Sequence, residues 1–160
     1  MADETPYEIM GGQQSVRALA DRFYDLIEQD SRFAGLRSIH EEDLTAIRAN
    51  LTSFLSGWLG GPRDWFGRGK CVMSLHSGLA IDRALARQWA GAMQQAIMEH
   101  PDLDARFREQ MSEALARVAN AMVNRAQTPA ETAAALAASL HSSAPVQCRY
   151  AFFSIERNCT

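Results

Sequence analysis

The chain has 160 residues, 47% of them hydrophobic and 22% charged, which suits one globular domain with a buried core. Its formal net charge of -3 argues against nucleic acid or an anionic membrane as the main partner, because both demand a basic footprint. No apolar run is long enough to cross a bilayer, and the opening MADETPYEIM has neither the basic nor the apolar region of a secretory signal, so a cytoplasmic location is expected.

Thr5, Pro6 and Glu8 predict a short helix, with Thr5 as cap, Pro6 at the first helical position and Glu8 closing a capping box. Gly11 and Gly12 stop it. Val16, Leu19, Phe23, Leu26 and Ile27 then recur at helical intervals, with Arg17, Asp21, Arg22, Asp25 and Glu28 largely on other faces. Residues 30–42 read as short and irregular. The helical period resumes through Leu44, Ile47, Leu51, Phe54, Leu55, Trp58 and Leu59, and Gly60, Gly61 and Pro62 end it. Residues 62–73 sustain no period and read as a loop.

Asp82 is expected to cap a helix whose buried stripe is Leu85, Trp89, Ala92, Met93, Ala96 and Ile97, ending before Pro101. Asp102 is expected to cap the last helix, which carries Leu103, Phe107, Met111, Leu115, Val118 and Met122 and fades at Thr128 and Pro129. The class is all-α. Beyond Pro129 an Ala/Ser-rich run leads to Val146, Cys148, Tyr150, Phe152, Phe153 and Ile155, an appendage that is either disordered or docked on the domain.

Cys71, Cys148 and Cys159 form no C-x-x-C pair and are odd in number, which fits free thiols in a reducing compartment. The four histidines are too dispersed for an all-protein metal site, so a metal is expected to arrive inside a cofactor. His76 is flanked by Met73, Leu75, Leu79 and Ile81, and Tyr24 and Trp89 bring polar atoms onto apolar stripes. Each alone reads as an ordinary hydrogen-bonded core or surface residue, and His40 as a loop residue.

Together they carry a resemblance. The run Tyr7-Glu8-Ile9-Met10-Gly11-Gly12, then Phe23-Tyr24-Asp25-Leu26, then His40 to Leu44, and then Phe54-Leu55-Ser56-Gly57-Trp58-Leu59-Gly60-Gly61-Pro62 resembles the group II truncated hemoglobins in order and spacing. The likeness continues through His76, Ile81 and Arg87-Gln88-Trp89, covering roughly Thr5 to Arg125. It implies a truncated globin domain over 1–128, folded as a two-over-two helical sandwich, with residues 129–160 as a C-terminal extension, partly disordered or docked.

The resemblance further implies heme b (iron protoporphyrin IX), with His76 as the proximal iron ligand and Tyr24 and Trp89 as hydrogen-bond donors to a bound gas. His40 falls at or beside a corner position and would be a third distal donor. Apolar walls are expected from Phe23, Ile47, Leu51 and Phe54 on the distal side and from Met73, Leu79 and Ile81 on the proximal side, with Lys70 and Arg68 reaching the propionates. The ligands implied are dioxygen and other small diatomic molecules, without nucleic acid or membrane. Slow release favours reactions such as nitric oxide detoxification or peroxidase-like chemistry, served by a reductase partner. The chain departs from the family at Leu75 and Leu79, where Arg and Phe are common. Those departures and the aromatic tail motivate a contrasting reading as a heme-degenerate sensor or protein-interaction module.

Overall fold

The computed structural model describes residues 4–68 and 71–125, and within them seven α-helices and two 3-10 turns follow one another without a strand. Helix α1 (Pro6–Ile9) begins with the complete capping box: Thr5 Oγ1 accepts the Glu8 N–H, and the Glu8 carboxylate accepts the Thr5 N–H at 2.8 Å. Gly11 and Gly12 turn the chain at φ 98° and 74°, left-handed values that glycine adopts without a Cβ penalty. Helix α2 (Gly12–Gln29) follows directly and buries Val16, Leu19, Ala20, Phe23, Tyr24, Leu26 and Ile27.

The stretch expected to be irregular holds two small elements. Asp30 accepts the Arg32 backbone N–H at 2.9 Å and starts a 3-10 turn (Ser31–Phe33) that runs into α3 (Ala34–Ser38). Both are too short to show a period in sequence, and the burial of Phe33 and Leu36 holds them. Helix α4 (Thr45–Trp58) ends at Gly60, φ 93°. The expected 62–73 loop likewise contains a 3-10 turn (Phe66–Arg68), preceded by the buried Trp65, and gives way to α5 (Val72–His76).

Asp82 caps α6 (Arg83–Glu99) as expected, accepting the Leu85 N–H at 2.9 Å. The cap of α7 (Ala105–Ala121) is Asp104, not Asp102. Its carboxylate accepts the Phe107 N–H at 2.9 Å, while Leu103 is buried just ahead of it and moves the helix start past Asp102. Helix α7 stops at Ala121, and Thr128 and Pro129 lie outside the described residues.

Helix α2 packs on α4 and on α6, and α6 forms a hairpin with α7, so that two helix pairs make the two-over-two sandwich. Phe23, Leu19, Ile27, Leu55, Leu59, Met93, Ile97 and Leu115 are fully buried at their junction, each contributing roughly 1.5–3 kcal/mol of transfer free energy. The glycines around Trp58 make close approach possible. A Cβ on Gly61 would meet the Tyr7 ring at 2.6 Å, and one on Gly57 the Phe66 ring at 2.8 Å. Cys71, expected as a free thiol, is disulfide-bonded, since sequence spacing does not reveal pairs that folding brings together; Cys148 and Cys159 lie outside the described residues. Among the described residues no helix is long and apolar enough to cross a membrane.

Candidate functional site

A cavity of about 500 Å³ is lined chiefly by α4, α5 and α6, with Tyr24 of α2 and Val118 and Ala119 of α7 also on its wall. Tyr24 enters it from α2, His40 from the corner after α3, Ile47, Leu51 and Phe54 from α4, His76 from α5 and Trp89 from α6. Leu79 and Ile81 also line it, from the turn between α5 and α6. A wider and more open hollow of about 660 Å³ lies between the start of α2 and the α6–α7 turn, and it holds none of the predicted site residues.

His76 ends the five-residue helix α5, and its Nδ1 lies 2.7 Å from the carbonyl oxygen of Val72, one turn back. A carbonyl can only accept, so Nδ1 is the donor in this bond and Nε2 is the ring nitrogen left for another partner. The turn that follows is pinned from the far end of the described chain. Asn124 Oδ1 accepts the Ile81 N–H at 2.9 Å, and Asn124 Nδ2 donates to the carbonyls of Leu79 at 2.8 Å and His76 at 3.3 Å. The backbone N–H groups of Asn124 and Arg125 both reach the Ile81 carbonyl.

Tyr24 is 3% exposed, and the Phe23 and His40 rings meet its ring edge-on at 4.9 and 5.8 Å. Burial pushes its phenol above the ordinary value, with the positive charge of Arg48 pulling the other way, so the hydroxyl keeps its proton at neutral pH. Among the described residues that hydroxyl has no hydrogen-bond partner, and neither has the Trp89 indole N–H, although both side chains line the cavity.

His40 is oriented as His76 is, with Nδ1 2.8 Å from the Leu36 carbonyl. Burial lowers its pKa, against the Leu36 bond, which raises it. With Nδ1 held by the Leu36 carbonyl, Nε2 is the ring nitrogen left for the cavity.

Two predicted site residues stand apart from the cavity, and two more fall outside what the structure describes. Phe23 is fully buried behind the cavity, its ring 5.4 Å from that of Trp89, because it points into the helix junction while its neighbour Tyr24 faces the opening. Met73 is 41% exposed and does not line the cavity, since on α5 it projects about 100° from the face that Val72, Leu75 and His76 turn toward it. Lys70 and the side chain of Arg68 lie outside the described residues.

Sequence reasoning missed Trp65 and Val72, which sit in segments without a period, and the wall that Val118 and Met122 supply from the α7 end. The last two carry a signal, as outer members of an apolar stripe longer than one packing face requires. Asn124 carries none, because its partners are more than forty residues away.

A family model described as "Bacterial-like globin" matches residues 5–124. Among solved structures, the chain is similar to a cold-adapted truncated hemoglobin from the Antarctic marine bacterium Pseudoalteromonas haloplanktis, at 33% identity and a TM-score of 0.73 over 77% of this chain and 100% of that one. A group II 2-on-2 hemoglobin from the plant pathogen Agrobacterium tumefaciens matches at 31% identity and a TM-score of 0.74, covering 79% of this chain and 98% of the other. The group II truncated hemoglobin from Bacillus anthracis matches at 28% identity and a TM-score of 0.72, over 82% and 99%.

Proposed function

The chain belongs to the bacterial-like globin family, and on that premise we propose that it binds a diatomic gas, dioxygen first, at a heme b held by His76, with Tyr24 and Trp89 donating hydrogen bonds to the gas. The observation that carries the reading is the His76 ring, whose Nδ1 bond to Val72 leaves Nε2 for another partner at the cavity. The cavity's mostly apolar lining and its volume of about 500 Å³ also suit a flat macrocycle. Heme, when bound, would supply an iron able to take a small diatomic ligand, with His76 as the residue that holds it.

The protein's part is orientation, exclusion of water and hydrogen bonding. Val72 fixes the His76 tautomer, and Asn124 holds the turn beyond it. Ile47, Leu51 and Phe54 keep one wall dry. Tyr24 and Trp89 bring an O–H and an N–H donor without acceptors among the described residues, and a polar ligand between them satisfies both, each bond slowing release by about 1 kcal/mol. His40 stands in the same region as a third polar group, its Nδ1 donating to the Leu36 carbonyl. Slow release favours turnover over bulk storage, and nitric oxide detoxification, in which nitric oxide and dioxygen become nitrate with one electron from a reductase partner, is the reaction we favour.

Absorption spectra of the purified protein test the proposal, recorded ferric, dithionite-reduced and under carbon monoxide, beside His76→Ala. A Soret band that shifts with each state and collapses in the variant is the expected result. A protein that fails to take up added hemin overturns it and moves the interaction-module reading to first place. Nitric oxide consumption no faster than with free heme removes the enzymatic part alone.

A further inference from the structure

Asp21, Asp25 and Glu28 recur at helical spacing on α2, with Tyr24 inside the same stripe, and one guanidinium from the neighbouring helix meets them all. Arg48 of α4 donates through one terminal nitrogen to the Asp21 backbone carbonyl at 2.8 Å. The other terminal nitrogen reaches Asp25 Oδ1 and Glu28 Oε2, each at 2.8 Å. The Asp21 carboxylate stands 3.5 Å away. So held, the guanidinium carbon lies 5.5 Å from the centre of the Tyr24 ring. With Phe23 and His40 at its edges, the ring is confined on three sides, while its hydroxyl has no protein partner among the described residues.

We propose that Arg48 is a positioning residue for Tyr24, fixing the ring from the α4 side and making its O–H a stronger donor toward a ligand in the cavity. The inference rests on the reading of Tyr24 as a donor into that cavity. A cation against an aromatic ring is attracted by the ring quadrupole and stabilises negative charge on the phenol oxygen, which strengthens the O–H as a donor. Three anchoring groups leave the long side chain little freedom to lose, so the contact is held rather than sampled. A lysine cannot substitute, since its ammonium lacks the planar fork that spans the three acceptors.

Arg48→Met, which keeps the stem and removes the guanidinium, is the test. In the ferrous carbon monoxide complex the C–O stretch is expected to move to higher frequency as the donor weakens, and dioxygen dissociation to rise roughly three- to ten-fold. In the apoprotein, the labelled Tyr24 ring is expected to flip faster by NMR. On a Tyr24→Phe background, Arg48→Met should change neither the stretch nor the dissociation rate further. Asp25→Asn combined with Glu28→Gln loosens the guanidinium without removing it; it should shift the same readouts in the same direction and serves as the test if Arg48→Met does not fold. If the stretch and rate stay unchanged in the Arg48 variant while Tyr24→Phe shifts both, Arg48 is only a tie between helices and the proposal falls. If Tyr24→Phe itself shifts neither, the reading of Tyr24 as a donor is what fails.

Discussion

The two imidazoles of the cavity are oriented by the same device, a bond from Nδ1 to the carbonyl four residues back, Val72 for His76 and Leu36 for His40. The device leaves Nε2 of each ring for another partner, and surroundings assign the task. At His40, burial lowers the pKa below the ordinary 6.5. Between the folded-state value and 6.5 the unfolded chain therefore holds more protons, so stability is full above that window and is lost as pH falls through it. Melting temperatures taken at pH 5 and 7.5 should thus drop toward acid in the parent protein, and His40→Phe should flatten that difference. The donors are tested separately. Tyr24→Phe and Trp89→Phe should each speed dioxygen dissociation about five-fold or more, measured by stopped-flow replacement with carbon monoxide. Unchanged rates in both would return the two residues to the status of core aromatics.

Short elements here depend on contacts that come from far along the chain. Helix α1 has four residues and buries none of them, yet Tyr7 lies on Gly61, and its backbone N–H reaches the Leu59 carbonyl at 3.0 Å. Gly61→Ala would drive a methyl group into that ring, and circular-dichroism melting should record a loss of about 1–3 kcal/mol. A melting curve identical to the parent's would mean the first turn moves aside freely. Helix α5, five residues long, is below the length that supports itself in water. Asn124 supplies three side-chain bonds to the turn after it. Asn124→Ala should cost about 1 kcal/mol at this exposed site and should accelerate hemin transfer to an acceptor globin. Loss of stability with unchanged hemin transfer would limit Asn124 to the fold.

For the whole molecule, a cofactor that binds only the folded chain stabilises it in proportion to its saturation. At a thousand times the dissociation constant the gain is about 4 kcal/mol, so acid extraction of heme should lower the melting temperature by roughly 10–20 °C. The globin domain proposed for 1–128 should keep its Soret band when the chain is cut after residue 128, since every described cavity residue precedes that point. A cut chain that loses hemin would place part of the heme site in the extension. The two experiments separate the domain from its appendage.

Helix spacing and caps are local properties, and for that reason α2, α4, α6 and α7 are legible in the sequence, together with the Thr5 and Asp82 caps and the Gly60 stop. The family motifs, being runs of adjacent residues, are legible in the same way and agree with the match over residues 5–124. Adjacent residues on a helix point about 100° apart, so only packing decides that Tyr24 faces the cavity and Phe23 the core, and that Met73 turns outward. Two aspartates equally suited to capping precede α7, and the burial of Leu103 selects Asp104. Arg48 reads in sequence as one more surface charge on an amphipathic helix. Its place over Tyr24 exists only because α4 crosses α2 where three acceptors stand in register, a relation that no local pattern encodes.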